Sequence, residues 1–284
     1  MSFMYDEPGP RGRRNIRIAS ALSFVALAGL VALALWQFGS HGQLDPAIWA
    51  PFTSWPIWQY LLVGLMGTVQ VAAIVAVLGS ILGVFLALGR NGRNRPVRWL
   101  CTAYIEIART VPVLLLIYLM LFGLPQLGIN VPVIWKLTIP LVFSNSAVFA
   151  EIFRAGIKSL PKGQSEAALS LGMSGTLTMF LVVLPQAIRN VAPSLLSQFV
   201  SLLKDTTLGY IVAFTELLYR GQLLTSYLHD LIPTYIVITL IYLAVSGSLT
   251  AMASRLQKRP RRKVAPPSDP GRNPVAEQPV VAAH

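Results

Sequence analysis

From Pro46 to Gly89 the sequence carries no charged residue, and a second uncharged stretch runs from Ile18 to Phe38. A helix rises about 1.5 Å per residue, so each stretch is long enough to cross a hydrocarbon core of about 30 Å. A chain that is 54% hydrophobic and only 12% charged over 284 residues cannot cover a water-facing surface with ionised groups. A soluble domain is therefore excluded, and the bilayer is the solvent in which the chain must fold. The net charge of +12 does not mark a nucleic-acid partner, because no polar domain remains once the apolar runs are set aside. The single cysteine, Cys101, has apolar neighbours and reads as a small packed side chain, with no disulfide framework or Cys-rich metal site.

Six spans follow from the hydropathy: Ile18 to Phe38, Tyr60 to Gly89, Trp99 to Leu124, Leu137 to Ile157, Ala187 to Leu203, and Leu231 to Met252. The arginine-rich flank of the first also suits a secretory signal, but its apolar run is longer than the usual 7–15 residues. Trp49, Trp55, Trp58 and Tyr60 mark residues 39–59 as an interfacial segment. In the second span Ala72, Ala76, Ser80 and Gly83 recur at helical spacing, and Gly79 with Gly83 forms a seam for a neighbouring helix. Basic residues alternate between loops: Arg11, Arg13, Arg14 and Arg17 first, then Arg90, Arg93, Arg95 and Arg98, then Arg154, Lys158 and Lys162, then the run from Arg255 to Lys263. The positive-inside rule places these clusters and both termini in the cytoplasm. Residues 1–17 read as a basic tail, and the proline-rich residues 257–284 as a disordered one.

The loop after the fourth span has the most distinctive pattern. Pro161 and Gly163 are expected to end the preceding helix, Ser165 and Glu166 to begin a short new one, and Gly172 to stop it. Ala167, Ala168, Leu169 and Leu171 give that helix a slim apolar surface suited to a groove on a soluble partner, although an ordinary amphipathic loop carries the same pattern.

The spacing Glu166-Ala167-Ala168, Gly172, Val182, Leu184-Pro185 resembles the EAA loop of type I ABC importer permeases, with Val182 where isoleucine is common. Similarity to the polar amino acid branch extends from about Leu62 to Leu256, through Tyr104 to Leu115, Glu151 to Ile157, Leu184 to Arg189, and Ser201 to Leu208. The opening from Met4 to Gly12, with its extra first span, resembles one subunit of actinobacterial glutamate importers. The resemblance implies an all-α, polytopic bacterial plasma-membrane protein with a type I permease domain over residues 60–256 and one extra N-terminal span at residues 18–38. It implies that Glu166 to Gly172, within the EAA loop of residues 163–185, seats on an ATPase. The implied partners are a second permease subunit in a heterodimer, two ATPase subunits and an extracytoplasmic amino-acid-binding protein. Glutamate is the favoured substrate, with glutamine, aspartate or a basic amino acid as alternatives. No cofactor is expected on this chain. ATP and magnesium belong to the ATPase, and the sequence has no Gly-Lys-[Ser/Thr] phosphate-binding loop.

Charges inside spans are costly unless paired or facing water. Glu106 and Arg109, three residues apart, either pair with each other or line the path, and Pro112 is placed to bend their helix. Glu151 and Arg154 repeat that spacing and read as a structural pair. Asn145 either bridges helices or meets substrate. Arg189 and Lys204 bracket the fifth span, where Pro185 and Pro193 are expected to break the helix; a cation at each end of the break suits a dicarboxylate. Lys204 and Asp205 are the stronger cavity candidates, while Glu216 and Asp230 are assigned to the outer surface. A secondary transporter would need a midplane carboxylate or histidine, and the spans offer Glu106 and little else, with His41 and His229 outside them. For an enzyme the sequence has no metal-ligand spacing, no nucleophile elbow and no clustered acid-base pair. A scaffold without transport of its own is the remaining rival.

Overall fold

The computed structural model describes residues 9–92 and 94–257, and it is helical throughout, without strands among those residues. The notable positions Met4 to Pro8, Arg93 and the tail from Lys258 lie outside the described residues. Ten helices follow in order. They are α1 (Pro10–Ser40), α2 (Pro46–Trp49), α3 (Trp55–Asn91), α4 (Arg95–Thr110), α5 (Val113–Gln126), α6 (Val133–Lys158), α7 (Lys162–Ser170), α8 (Gly175–Val212), α9 (Leu217–Leu228) and α10 (Leu231–Gln257). Five are long and apolar enough to cross a membrane, and the bent pair α4–α5 makes a sixth crossing if it counts as one span.

Two of the crossings differ from the sequence expectation in whether they break. The third span is not one helix: α4 and α5 meet at 92°. Val111 is extended there, with φ −75° and ψ 123°, because the ring of Pro112 clashes with an α-helical residue before it and Pro112 itself has no N–H to continue the ladder. The fifth span shows the opposite behaviour, since α8 runs unbroken through Pro185 and Pro193. A wide turn over Met179–Val183, in which the Leu184 N–H reaches the Met179 carbonyl, precedes Pro185 and accommodates the missing donor. The same device, Leu124 N–H to the Leu119 carbonyl, precedes Pro125 in α5.

The core is built on α3 and α6. Gly79 and Gly83 face Phe149, and a Cβ on Gly83 would come within 2.7 Å of the Phe149 Cβ, so only glycine permits this approach. Val71, Ala72, Val75, Leu141 and Ala147 fill the seam on either side. Cys101 of α4 packs against Gly89, and it is half-buried, as the sequence suggests. At the other end of α3, α9 lies across it, where Gly64 and Gly67 admit the backbone of Thr215 to Leu217. The first helix is different: none of its most apolar window is buried in the chain, and its helix begins at Pro10 rather than Ile18.

Candidate functional site

The short helix α7 lies between two crossings, α6 and α8. It begins at Lys162, three residues before the expected start, because Pro161 fits the position before a first helical turn and Ser165 Oγ donates back to the Lys162 carbonyl at 2.9 Å instead of capping. Its end matches the expectation. Gly172 adopts φ +82°, its N–H donates to the Leu169 carbonyl at 3.0 Å, and the Met173 N–H donates to the Ala168 carbonyl at 3.2 Å. These paired bonds form a Schellman closure, which favours glycine at the left-handed position. Ala168 is turned into the protein, while Glu166 and Ala167 are exposed. Leu171, at the C-cap, is 84% exposed. Gln186 of α8 donates to Gln164 at 3.2 Å and ties the helix to the next span, and Leu184 and Pro185 stand at the turn where α8 regains regular geometry.

A second cluster gathers above it. Glu151 of α6 accepts from Arg154 at 2.6 and 2.9 Å, pairs with Arg90 at 2.5 Å and lies 3.9 Å from Arg109. Arg90 also reaches Glu106 at 3.1 Å. The Glu106–Arg109 pair open to the sequence is therefore not formed: Arg90, at the end of α3, takes Glu106, and Arg109 turns toward Glu151. Arg90 had signalled only orientation in the sequence, since no local spacing connects it to residues 106 and 151. One carboxylate thus joins the end of α3, the helix before the sharp bend and the span that leads into α7. Arg109, Glu151 and Ser194 also line a groove of about 460 Å³. Glu151→Gln is expected to keep the shape but leave three guanidinium groups facing each other, at about 1–3 kcal/mol given the partial exposure of the cluster. Thermal unfolding of the purified chain checks this, and an unchanged midpoint removes the hub from the account.

The other candidates disperse. Asn145 is buried, donates to the Leu141 carbonyl at 3.0 Å and accepts from Gln198 at 2.8 Å, so it bridges α6 and α8. Asp205 is half-buried, whereas its neighbour Lys204 is exposed. Arg189 is exposed too. With α8 continuous, Arg189 and Lys204 stand about 22 Å apart along it, at about 1.5 Å per residue, too far to hold one small dicarboxylate together.

The sequence placed Glu216 at the outer surface, but its side chain is fully buried. It caps α9, accepting from the Leu218 and Tyr219 N–H groups at 2.8 and 2.6 Å, and from Tyr242 at 3.1 Å and Thr68 at 3.5 Å. Burial pushes its pKa up to about 6, against the pull of those four hydrogen bonds. Nearby Arg220 stacks over Tyr60 at 4.6 Å and donates to the Tyr60 carbonyl at 3.1 Å. No group of three or more His, Cys, Asp or Glu side chains fit to hold a metal occurs among the described residues.

Comparison with known proteins completes the picture. A family model described as "Binding-protein-dependent transport system inner membrane component" matches residues 79–262. The glutamate transport system permease protein GluD of Corynebacterium glutamicum is 39% identical over 230 residues, which cover 79% of this chain and 84% of that one. The probable glutamine ABC transporter permease protein GlnP of Bacillus subtilis is 37% identical, covering 69% and 91%. A chain from the crystal structure of an amino acid ABC transporter with histidines superposes with a TM-score of 0.67 at 31% identity, covering 72% of this chain and 96% of that one.

Proposed function

The chain belongs to the binding-protein-dependent transport system inner membrane component family, and from that premise we propose that it is the permease subunit of an ATP-driven importer of polar amino acids, glutamate first among them. The observation that carries this reading is α7: a nine-residue helix between two crossings, closed by Gly172 and presenting Glu166, Ala167 and Leu171 outward. Such a helix fits a groove on a soluble ATPase, and ATP-driven closure of the ATPase pair pushes the permeases from inward-open to outward-open. ATP and magnesium are held by the ATPase, a second permease subunit completes the pathway, and an extracytoplasmic binding protein delivers the substrate. The permease domain occupies residues 60–256, with the basic clusters and both ends of the chain on the cytoplasmic face.

Glutamate is favoured by the likeness to the Corynebacterium glutamicum glutamate permease. Arg109, at the mouth of the groove it shares with Glu151, and Lys204, exposed on the outer half of α8, are separate cationic stations for an anionic substrate rather than one clamp. Asn145 and Asp205 shape the wall between α6 and α8. The test is reconstitution of the whole complex with its binding protein in vesicles, with ATP hydrolysis measured against glutamate, glutamine, aspartate and arginine. Glutamate is expected to stimulate most. Stimulation by arginine or glutamine alone removes glutamate, and uptake that survives ATP depletion but stops when the proton gradient collapses removes the ATP-driven reading altogether.

A further inference from the structure

Five cations line one pocket that adjoins the Glu151 cluster but shares no lining residue with the groove at Arg109. Arg90 from the end of α3, Arg95 and Arg98 from the start of α4, and Arg154 and Lys158 from the end of α6 surround a cavity of about 470 Å³, with Asn91, Trp99 and Thr102 completing the wall. Arg90 and Arg154 share the Glu151 carboxylate, but Arg95, Arg98 and Lys158 make no ion pair among the described residues. The pocket therefore keeps an uncompensated positive charge. Arg95, Arg98 and Thr102 follow one another at three- and four-residue steps, so one face of α4 supplies all three. The positive end of the α4 dipole adds to the same field, with the Asn94 side chain accepting only the Val97 N–H at 3.5 Å.

We infer that this pocket binds the phosphate headgroup of an anionic phospholipid of the inner leaflet. The inference rests on the orientation proposed above, which puts these helix ends on the cytoplasmic side. Two observations favour a lipid over an acidic face of a soluble partner. The wall is made by the ends of α3 and α6, both long and apolar enough to cross a membrane, and by the start of the bent pair α4–α5 rather than by a projecting loop. Trp99 is 70% exposed on its rim, the position an amphipathic ring takes at headgroup level. Basic pockets between spans at the cytoplasmic surface are the usual setting for such headgroups.

The test uses the purified four-subunit complex in detergent, titrated with phosphatidylglycerol or phosphatidylcholine and read by native mass spectrometry. Wild type is expected to retain phosphatidylglycerol in preference to phosphatidylcholine, and Arg95→Gln/Arg98→Gln to weaken that retention by about thirtyfold, from the attraction each basic residue adds at an anionic surface. Arg95→Lys/Arg98→Lys is expected to keep the preference, and all variants to elute as intact complexes, because neither position is packed into the core. An unchanged preference in the glutamine variant overturns the inference. So does displacement of the lipid by millimolar inorganic phosphate, which would make this a site for free anions, or loss of the ATPase subunit from the variant with lipid retention intact, which would make it a protein contact. Substrate-stimulated ATP hydrolysis in the same preparations reads the transport function independently, so failure of one assignment is separable from failure of the other.

Discussion

Gly172→Val is expected to lower substrate uptake by at least about tenfold while leaving the chain inserted in the membrane, because a β-branched residue at φ +82° costs roughly 1–3 kcal/mol. The cost falls on the turn that closes α7, where the Gly172 and Met173 N–H groups satisfy the last carbonyls of the helix. Opening that turn moves Leu171, the exposed leucine at the C-cap, away from the position in which a partner groove would receive it. The rest of the fold has no stake in the residue, since a side chain at Gly172 would meet nothing within 4 Å. Binding-protein-stimulated ATP hydrolysis should fall in parallel with uptake. Glu166→Lys, exposed on the same helix, should act in the same direction without touching the turn. Uptake within twofold of wild type in both variants would remove α7 as the coupling element.

The second large effect is on stability. Glu216→Ala is expected to cost about 3–5 kcal/mol, from loss of a helix cap and from buried donors left without an acceptor. Four donors converge on this carboxylate from three helices: Leu218 and Tyr219 at the start of α9, Thr68 in α3 and Tyr242 in α10. Glu216→Gln keeps one acceptor oxygen and should recover part of the loss. The pH dependence separates the two forms of the side chain. Its folded pKa of about 6 lies above the ordinary 4.5, so the folded state binds the proton more tightly, and wild type should gain stability as pH falls from 6 toward 4.5. Glu216→Gln should show no such gain from this site. Thermal unfolding across that window measures both, and a destabilisation of Glu216→Ala under about 1 kcal/mol would show that the cluster is not structurally coupled.

What could be read from the sequence was local. The uncharged stretches gave the crossings, and glycine after a small-faced helix gave α7, because both signals sit within a turn or two of the residues they govern. Pro112 likewise announced the bend between α4 and α5, although not its 92° size. Two of the misreadings involve distant partners, and the third an adjacent turn. Glu216 looked like an outer-loop carboxylate because its burial depends on Thr68, far back in the chain, and on the glycines of α3 that let α9 approach. Arg90 looked like a topology marker because its partners, Glu106 and Glu151, meet it only after three helices pack. Pro185 and Pro193 looked like breaks because the wide turn over Met179–Val183 has no composition of its own.

The isolation of α1 has a practical meaning for anyone handling the protein. A helix that shares no buried apolar face with the bundle acts as a graft rather than a pillar, so trimming it is expected to leave the packing of the remaining helices unchanged. Whatever that helix contributes, it contributes through lipid or through another chain.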